Sequence, residues 1–374
     1  MKHLQSLILI IFVSNLLYSQ TDSTFSKVSF EMDYRFRAEQ DWNSRKSDGT
    51  FRNDRSRLRY RLRAGATYSD KHYTFGVRMR TGDPNKQQDP QLTLGKGLKE
   101  FGTLPVGFEK AFFQFNKHNF KFWLGKNTFP FKKNNEMFWS DNVFPEGITL
   151  DKSFVINDGF LKAINLIGGH YILSSNDGSL LDDAYFQGIQ TNFNSRNDRF
   201  KLSSALYVFR NIPNIPDGEH TFLLPYSILH LSGNCNINNF YFDFDYYKNL
   251  NNYNNNSNID QSFRNQTTGY TIGIQYGNIN AAKKWMYKLT YAYLQRYSVL
   301  DYMAQNDWAR WDYSSSNSPD GRLSNMQGIE WVVAYSITEK INLVAKYYFV
   351  EQLIPLGVSN ENGQRIRFDI NVKI

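Results

Sequence analysis

The sequence contains a single cysteine, Cys235, among 374 residues, and no long apolar run follows its first twenty residues. One cysteine excludes an internal disulfide framework and any cysteine-based zinc site. Without an apolar run of about 18 residues, the body of the chain contains no membrane-spanning helix. Aromatic residues are abundant, with 30 Phe and 24 Tyr, 41% of the residues are hydrophobic, and the net charge is +8. This composition indicates an all-β protein.

The N-terminus, "MKHLQSLILIIFVSNLLYSQ", has the features of a secretory signal peptide. A short basic start precedes the apolar stretch 7–13, and the small residue Ser19 lies where a leader peptidase would cut. The alternative is a buried N-terminal strand or helix. We predict a signal peptide over residues 1–19 and an exported domain over 20–374.

The C-terminus, "QRIRFDINVKI", alternates strictly between polar and apolar residues. Such alternation is typical of a strand with one wet and one apolar face. The pattern recurs in "KVSFEMDYRFRAE", "RSRLRYRLRAGATY" and "YTFGVRMR", and again in segments near 240, 270, 329 and 341. The last strand is therefore expected to pair with the strand at 27–39 and close a barrel.

Connections between these segments alternate between short and long. The short ones are predicted at 69–72, 116–119, 168–169, 194–198, 236–239, 278–284 and 338–340. The long ones are predicted at 40–54, 82–107, 128–156, 176–183, 211–224, 249–266, 298–325 and 351–363. This order predicts a transmembrane antiparallel β-barrel of about 16 strands, within a range of 14–18, with short periplasmic turns and long extracellular loops. Aromatic residues beside several short turns, such as Tyr68 and Tyr73, are typical of a barrel's interfacial girdle.

Charge distinguishes this barrel from a soluble sandwich. Five arginines lie on one face of a single strand, at positions 55, 57, 59, 61 and 63. An arginine facing lipid at mid-membrane costs about 2–4 kcal/mol, so this face must contact water. The opposite face, from Leu58 to Tyr68, must then contact lipid. A sandwich would not need a second apolar face along the whole chain.

The first half of the mature chain resembles a family of outer-membrane porins of Gram-negative bacteria. The matching segments are "RSRLRYRLRAG", "GVRMRTGD", "FEKAFFQF", "WLGKNTFPF" and "FWSDNVFPEGI", within residues 55–148. The leader end "YSQ" is similar to those of exported proteins of Bacteroidota. This resemblance implies a pore and defines no catalytic residues.

The lining of a pore determines its selectivity. Ten arginines on four neighbouring strands are predicted to line the lumen: Arg35, Arg37, Arg57, Arg59, Arg61, Arg63, Arg78, Arg80, Arg365 and Arg367. Four acids share this face: Glu31, Asp33, Glu39 and Asp369. Two interpretations stay open. The arginines either form a stiffening network of ion pairs or create an electropositive strip that attracts anions.

The segment 128–156 is the candidate constriction loop, because porins of this size commonly fold a loop into the lumen after the fifth strand. It contains aromatic residues that would pack against the wall, including Phe131, Phe138 and Trp139. Its candidate charged residues are Lys132, Lys133, Glu136, Asp141 and Glu146. Acids there, opposite the arginines, would produce a transverse field. The alternative is an ordinary outward loop.

The sequence therefore predicts an outer-membrane porin for small polar solutes, with anions as the candidate class. The alternatives are a barrel subunit of a larger surface, uptake or secretion complex and, less favoured, an outer-membrane hydrolase. A hydrolase needs a nucleophile with a base. Among the histidines, His220 lies near Asp217 and Glu219 in a loop, and His230 lies beside Ser232 with no acid expected nearby. We predict a protein that is not an enzyme.

The expected partners follow from this interpretation. They are outer-membrane lipid, the assembly machinery during biogenesis, small solutes, and a homo-oligomer or complex partners, without nucleic acid. We expect no cofactor and no metal. The expected location is the outer membrane, after export directed by the signal peptide.

Overall fold

A single antiparallel sheet of seventeen strands forms the fold. The computed structural model describes residues 26–95, 102–176, 178–179, 182–214, 222–304, 307–308 and 324–374. The predicted signal peptide at 1–19 lies outside these residues. The strands are β1 (Lys27–Trp42), β2 (Arg55–Ser69), β3 (Tyr73–Thr81), β4 (Leu92–Thr93), β5 (Val106–Lys117), β6 (Phe120–Lys126), β7 (Glu146–Val155), β8 (Leu161–Ser174), β9 (Ala184–Ser195), β10 (Phe200–Pro213), β11 (Leu223–Ile237), β12 (Phe240–Asn249), β13 (Thr268–Gly277), β14 (Trp285–Leu294), β15 (Met326–Ser336), β16 (Ile341–Gln352) and β17 (Asn362–Lys373).

Sixteen strands close into a barrel, which confirms the predicted fold. Each pairs with its neighbour in the chain, except that β3 pairs with β5, and β17 returns to pair with β1. The two-residue strand β4 pairs with Arg59 and Tyr60 of β2, beyond the end of β3. At the closure, backbone hydrogen bonds of 2.9 and 3.1 Å join Ile374 and Met32. The alternating C-terminus is therefore the closing strand.

Short and long connections alternate around the barrel, as predicted. The long connections are named here L1 (43–54), L2 (82–105), L3 (127–145), L4 (175–183), L5 (214–222), L6 (250–267), L7 (295–325) and L8 (353–361). The short ones are 70–72, 118–119, 156–160, 196–199, 238–239, 278–284 and 337–340. Seven short turns at one end of the barrel oppose eight long loops at the other.

Two predicted boundaries are wrong. The dipeptide Gly168–Gly169 lies in the middle of β8 instead of forming a turn, and the true turn is 156–160. The candidate loop 128–156 is correspondingly shorter, because its last third is the strand β7. The strand count is unaffected, since one turn moved and none was lost.

The tightest turns follow from local backbone preferences. Two-residue hairpin turns require residues with positive φ, and Asn tolerates this conformation better than most residues. Asn238 has φ of 55° in the turn 238–239, and His118 has φ of 52° in the turn 118–119. The right-handed twist of the flanking strands favours such turns.

The two faces of the wall differ as the alternation predicts. On β2, Leu58 and Leu62 are exposed on the outer face, whereas Arg59, Arg61 and Arg63 are buried toward the interior. Large apolar side chains are exposed on the outer face of strand after strand. In the part of the chain that the structure describes, no helix is long and apolar enough to cross a membrane.

The hydrophobic core lies inside the barrel. L3 folds inward against β8 to β12, where Phe131, Phe138 and Trp139 of the loop are buried, and the core continues through residues of L6, L7 and β14 to β16. The strands β17, β1 and β2, with polar inner faces, form the other side. The interior is thus divided into a packed half and a cavity.

Candidate functional site

A large cavity, of about 800 Å³, lies along the inner face of β17, β1 and β2. Eight of the ten predicted arginines line it, and we name them the arginine wall: Arg35, Arg37, Arg57, Arg59, Arg61, Arg63, Arg365 and Arg367. Arg52 and Arg55 line the same cavity, with Lys346 and Lys373. Alternation on three consecutive strands places these side chains together because each strand directs every second residue inward.

The remaining two predicted arginines lie elsewhere. Arg78 lines a second cavity of about 400 Å³, beside Lys110 and Trp123. Arg80 is not among the lining residues of the large cavity. Its guanidinium donates to the backbone oxygens of Thr81, Asp83 and Lys86, at 2.9, 3.1 and 2.7 Å. It fixes the start of L2.

Strand register determines how charge is distributed along the wall. Between β1 and β17, each arginine faces a carboxylate or an amide: Asp41 pairs with Arg365, Glu39 with Arg367, Arg37 with Asp369 and Arg35 with Asn371. Between β1 and β2 the pattern changes halfway along. Asp41 faces Arg55 and Glu39 faces Arg57, but Arg37 faces Arg59 and Arg35 faces Arg61. Two pairs of like charges therefore lie side by side at the middle of the wall.

Carboxylates of the wall neutralise part of this charge. Arg37 Nε donates to Asp369 Oδ1 at 2.7 Å, and Arg365 Nε donates to Asp41 Oδ1 at 2.5 Å. Asp33 pairs with Arg61. Glu109 of β5 is fully buried, and its carboxylate pairs with Arg63 at 3.0 Å, with Arg78 at 2.5 Å and with Arg80 at 3.9 Å. The four predicted acids Glu31, Asp33, Glu39 and Asp369 all form ion pairs with arginines, and Glu109 does so as well.

Two loops add carboxylates that the strand pattern did not indicate. Asp89 of L2 pairs with Arg59. Asp307 of L7 pairs with Arg367 and, at 3.6 Å, with Arg37, and its backbone oxygen accepts from Arg365. Burial by itself would raise the pKa of Asp307, but Arg367, Arg37 and Arg365 hold that pKa well below its ordinary value. The Asp307 carboxylate is therefore charged where it contacts the wall.

Aromatic packing holds L3 inside the barrel. Phe129 stacks on Trp139, with ring centroids 4.5 Å apart, and Phe138 stacks on Tyr207 of β10 at 4.6 Å. Phe131 contacts Tyr207 edge-on at 5.2 Å. Aromatic pairs in these geometries each contribute about 0.5–1.5 kcal/mol beyond area burial. The loop is fixed to the wall instead of projecting outward.

Polar contacts attach L3 to both sides of the lumen. Asn134 Nδ2 donates to the backbone oxygen of Phe244 at 2.9 Å, and Asn135 Nδ2 donates to Asp245 Oδ2 at 2.6 Å. On the other side, Arg63 Nη2 donates to Asn142 Oδ1 at 2.8 Å. L3 therefore spans the interior from β12 to the arginine wall.

The predicted charged residues of the loop occupy different places. Glu136 and Asp141 line the large cavity opposite the arginine wall. Lys133 pairs with Asp141 at 2.5 Å, within the loop. Lys132 contributes its backbone, which exchanges hydrogen bonds with the Gln190 amide at 2.6 and 2.9 Å. Glu146 begins β7 and pairs with Lys126 on the exposed surface, away from the cavity.

A third cavity, of about 410 Å³, lies along β14 to β16 and shares part of its lining with the large cavity. Glu136, Asp141, Asp307, Val344 and Lys346 line both cavities. The open part of the interior therefore continues past L3, with Glu136 and Asp141 on the loop and most of the cations on the strands.

His230 differs from its predicted environment. The sequence indicated no acid nearby, which is wrong: Nε2 lies 2.8 Å from Asp245 Oδ1 on the neighbouring strand. Both side chains are buried, and Phe138 of L3 stacks over the imidazole at 5.9 Å. Asp245 also accepts from Asn135 of L3. The His230–Asp245 pair therefore anchors L3 through Asn135, and Phe138 of L3 covers the pair. His220 lies outside the residues that the structure describes.

Within the described ranges, no group of three or more His, Cys, Asp or Glu side chains has an arrangement that would hold a metal ion. The charged groups that line the large cavity are guanidinium, ammonium and carboxylate groups.

Comparison with known structures agrees with the fold. The barrel is similar to OmpF of Salmonella typhi in a complex with daunomycin, with a TM-score of 0.55 and 12% identity, covering 93% of this chain and 98% of that one. It is similar to OprB of Pseudomonas putida at high pH, with a TM-score of 0.54 and 9% identity, covering 93% and 94%. At these identities the similarity shows the fold alone. No curated protein matches the sequence.

A family model supplies the stronger relationship. The family is described as "Putative porin", and its model matches residues 38–224, which is half of the chain. This range includes four of the eight residues of the arginine wall, the whole of L3, and β8, β9 and β10 among the strands on which L3 packs. With that match and a closed barrel of sixteen strands, the chain belongs to this porin family.

Proposed function

We propose that the exported chain forms a water-filled diffusion channel in the outer membrane for small polar solutes, and that this channel prefers anions. The observation that carries the proposal is the charge around the large cavity. Ten arginines and two lysines line it, against six carboxylates. Because a pore lined by one sign of charge raises the local concentration of counter-ions, this excess favours anions.

Ion pairing reduces the excess without removing it. Arg35 and Arg61 contact few carboxylates. Arg35 Nε donates to the side-chain amide oxygen of Asn371 at 2.6 Å and lies 3.8 Å from the Asp369 carboxylate. Asp369 is itself shared with Arg37 and Arg367. The two interpretations of the wall are therefore compatible. The ion pairs stiffen the wall, and the arginine charge that they leave unpaired attracts anions.

L3 is proposed as the constriction. Its span across the interior supports this role, as do its two acids on the edge of the cavity. A solute passing between Glu136 and the arginine wall would experience a field directed across the pore. Such a field orients polar molecules so that their negative end faces the arginines, and it favours solutes that can pass in that orientation.

Planar-bilayer recordings of the purified full chain test this function. Reversal potentials in a tenfold salt gradient should show modest anion selectivity at 0.1 M salt. The preference should fade as salt rises, because the Debye length falls from about 10 Å at 0.1 M to about 3 Å at 1 M. A cation-selective channel, or a protein that inserts without conductance, would contradict the proposal.

The alternative of a subunit within a larger complex is tested on the same protein. Purification from native membranes in mild detergent should yield the chain without stoichiometric partners of other sequence. Conductance of the isolated chain would then show that the channel needs no other subunit.

A further inference from the structure

Two arginine pairs at the centre of the wall form a feature that general pore lining does not require. Arg37 lies directly opposite Arg59, and Arg35 lies directly opposite Arg61, on adjacent strands. We name these four residues the central arginine cluster. Like charges placed directly opposite each other on a sheet are destabilising. Toward the long-loop end of the same strands this repulsion is avoided, because Glu39 and Asp41 face arginines on both sides.

Spacing within the cluster follows from sheet geometry. Opposed residues have Cβ atoms about 5 Å apart, and residues two apart along a strand are separated by about 7 Å. Four guanidinium groups thus arise from a rectangle of roughly 5 by 7 Å. Each presents a planar fork of donors that matches a carboxylate or phosphate in a bidentate manner.

The protein's own loops show where anions are held on this surface. Asp89 of L2 pairs with Arg59, and Asp307 of L7 pairs with Arg37. Their side chains keep 56% and 30% of their exposure, whereas the carboxylates of Glu39 and Asp369 keep 2% and 3%. Because an exposed ion pair contributes little, a solute can replace Asp89 without unfolding the wall. Asp307 is only partly exposed, so a solute that replaces it must supply the same negative charge to Arg37.

Donor capacity remains in the cluster. The Nε atoms of Arg59 and Arg61 are buried and donate to no group among the described residues. The Arg35 side chain keeps 24% of its exposure, and it lines the cavity together with the other three arginines. A guanidinium that is accessible from the cavity and only partly neutralised by its own carboxylates is the arrangement expected where a further anion binds.

We propose that the central arginine cluster is a binding site for small solutes with two or more anionic oxygen-rich groups, either di- and tricarboxylates or phosphates. One anionic group takes the place of Asp307 beside Arg37, and the other takes the place of Asp89 beside Arg59. Arg35 and Arg61 supply the additional positive charge. This inference rests on the proposed anion channel and names its preferred substrate class.

The test is the block of chloride current through the full chain in a planar bilayer, at constant ionic strength. The probes are succinate, citrate and inorganic pyrophosphate, with acetate as the monovalent reference. The multivalent anions should halve the current at concentrations at least tenfold lower than acetate. Block by succinate and citrate identifies a carboxylate site, and block by pyrophosphate alone identifies a phosphate site.

Variants separate the cluster from the general field of the wall. Arg35→Gln with Arg61→Gln should abolish the tenfold difference. The single variants Arg61→Gln and Arg55→Gln each remove one charge from β2. Arg61→Gln should reduce that difference, and Arg55→Gln, where Asp41 retains Arg365, should preserve it. Arg61→Lys keeps the charge without the bidentate fork, so it should retain anion selectivity and weaken block by the multivalent probes. Asp89→Asn and Asp307→Asn should each strengthen block, because a competing carboxylate is removed.

Distinct results overturn distinct claims. Equal block by acetate and the multivalent anions overturns the site. So does an equal loss of the tenfold difference in Arg55→Gln and in the double variant. An anion-selective channel with either result leaves the proposed function standing. If the double variant does not insert, the two Asn variants decide, because unchanged or weaker block in both contradicts the competition. A channel without anion preference contradicts the proposed function itself.

Discussion

The ring of Phe131 lies directly over the backbone of Gly188. A Cβ atom on Gly188 would come within 2.5 Å of Phe131 Cζ and 2.9 Å of Tyr207 Cδ1. The ring is also enclosed by Tyr171 and Phe186, at centroid distances of 6.3 and 5.9 Å. The packing of Phe131 against Gly188 therefore holds L3 in place, and only a glycine at this position of β9 leaves room for the ring.

Gly188→Ala should loosen L3. The added methyl group overpacks a tight contact, which costs about 1–3 kcal/mol, and displacement of Phe131 relieves it most directly. We expect a properly inserted barrel with larger and noisier single-channel conductance. Phe131→Ala in the same chain should relieve the overpacking, although it leaves a cavity of its own. The matched control is Gly178→Ala in L4, where the nearest atom is 3.9 Å from the added Cβ. Wild-type conductance in Gly188→Ala would contradict the constriction role of L3.

The assignment of faces on β2 predicts opposite outcomes for neighbouring positions. Arg59→Gln with Arg61→Gln should leave the barrel folded, because Gln remains polar in a wet lumen, and should shift the reversal potential toward neutrality. Leu62→Arg should hinder assembly, because its side chain would enter lipid at a cost of about 2–4 kcal/mol. Heat-modifiable migration on gels measures assembly, and bilayer recordings measure selectivity.

These two results are informative in combination. Unchanged selectivity together with normal insertion of Leu62→Arg would mean that the faces are reversed. Unchanged selectivity alone would mean that the arginines are structural and that selectivity is determined elsewhere, with L3 as the next region to vary.

Sequence alone predicted the barrel well, because a period of two along each strand is a local property that a wet interior and a lipid exterior impose. It failed at Gly168–Gly169, because adjacent glycines are typical of turns. Here Gly169 lies within β8, where an added Cβ would collide with the hydroxyl end of Tyr171. The glycine serves packing inside the wall, which no local pattern reveals.

Only those residues of the candidate site that lie on strands could be predicted from the sequence. Alternation alone placed eight arginines around one cavity. It did not indicate that Asp89 and Asp307 fold back onto them, because loop carboxylates have no periodicity. Nor did it pair His230 with Asp245, because their contact depends on the register between β11 and β12. A register estimate from the two-residue turn 238–239 would have brought those two residues together.

The contact of Asp307 with the wall should resist acid. Its pKa is held well below the ordinary value of about 3.9. A carboxylate with a depressed pKa stabilises its contact above that ordinary value and loses the stabilisation as pH falls through the depressed one. Trp308 is buried next to it, 5.8 Å from the ring of Tyr348. The acrylamide-quenching difference between wild type and Trp308→Phe should therefore stay constant from pH 7 to about pH 4.

Asp307→Asn provides the comparison for that measurement. It removes the charge, so Trp308 should be quenched more strongly at every pH, without a transition. Release of Trp308 in the wild type between pH 6 and pH 5 would show that the depressed pKa does not control the contact.

Topology makes the last prediction, in a Cys235→Ser background that removes the native thiol. Asn254 is exposed in L6, at the long-loop end, and Glu339 is exposed in the turn 337–340 at the opposite end. Long loops of outer-membrane barrels face the exterior and short turns face the periplasm. Asn254→Cys should therefore react with an impermeant maleimide on intact cells, and Glu339→Cys should react only after permeabilisation. The reverse labelling pattern would mean that the barrel has the opposite orientation. Labelling of both cysteines in intact cells would mean that the barrel does not span the membrane.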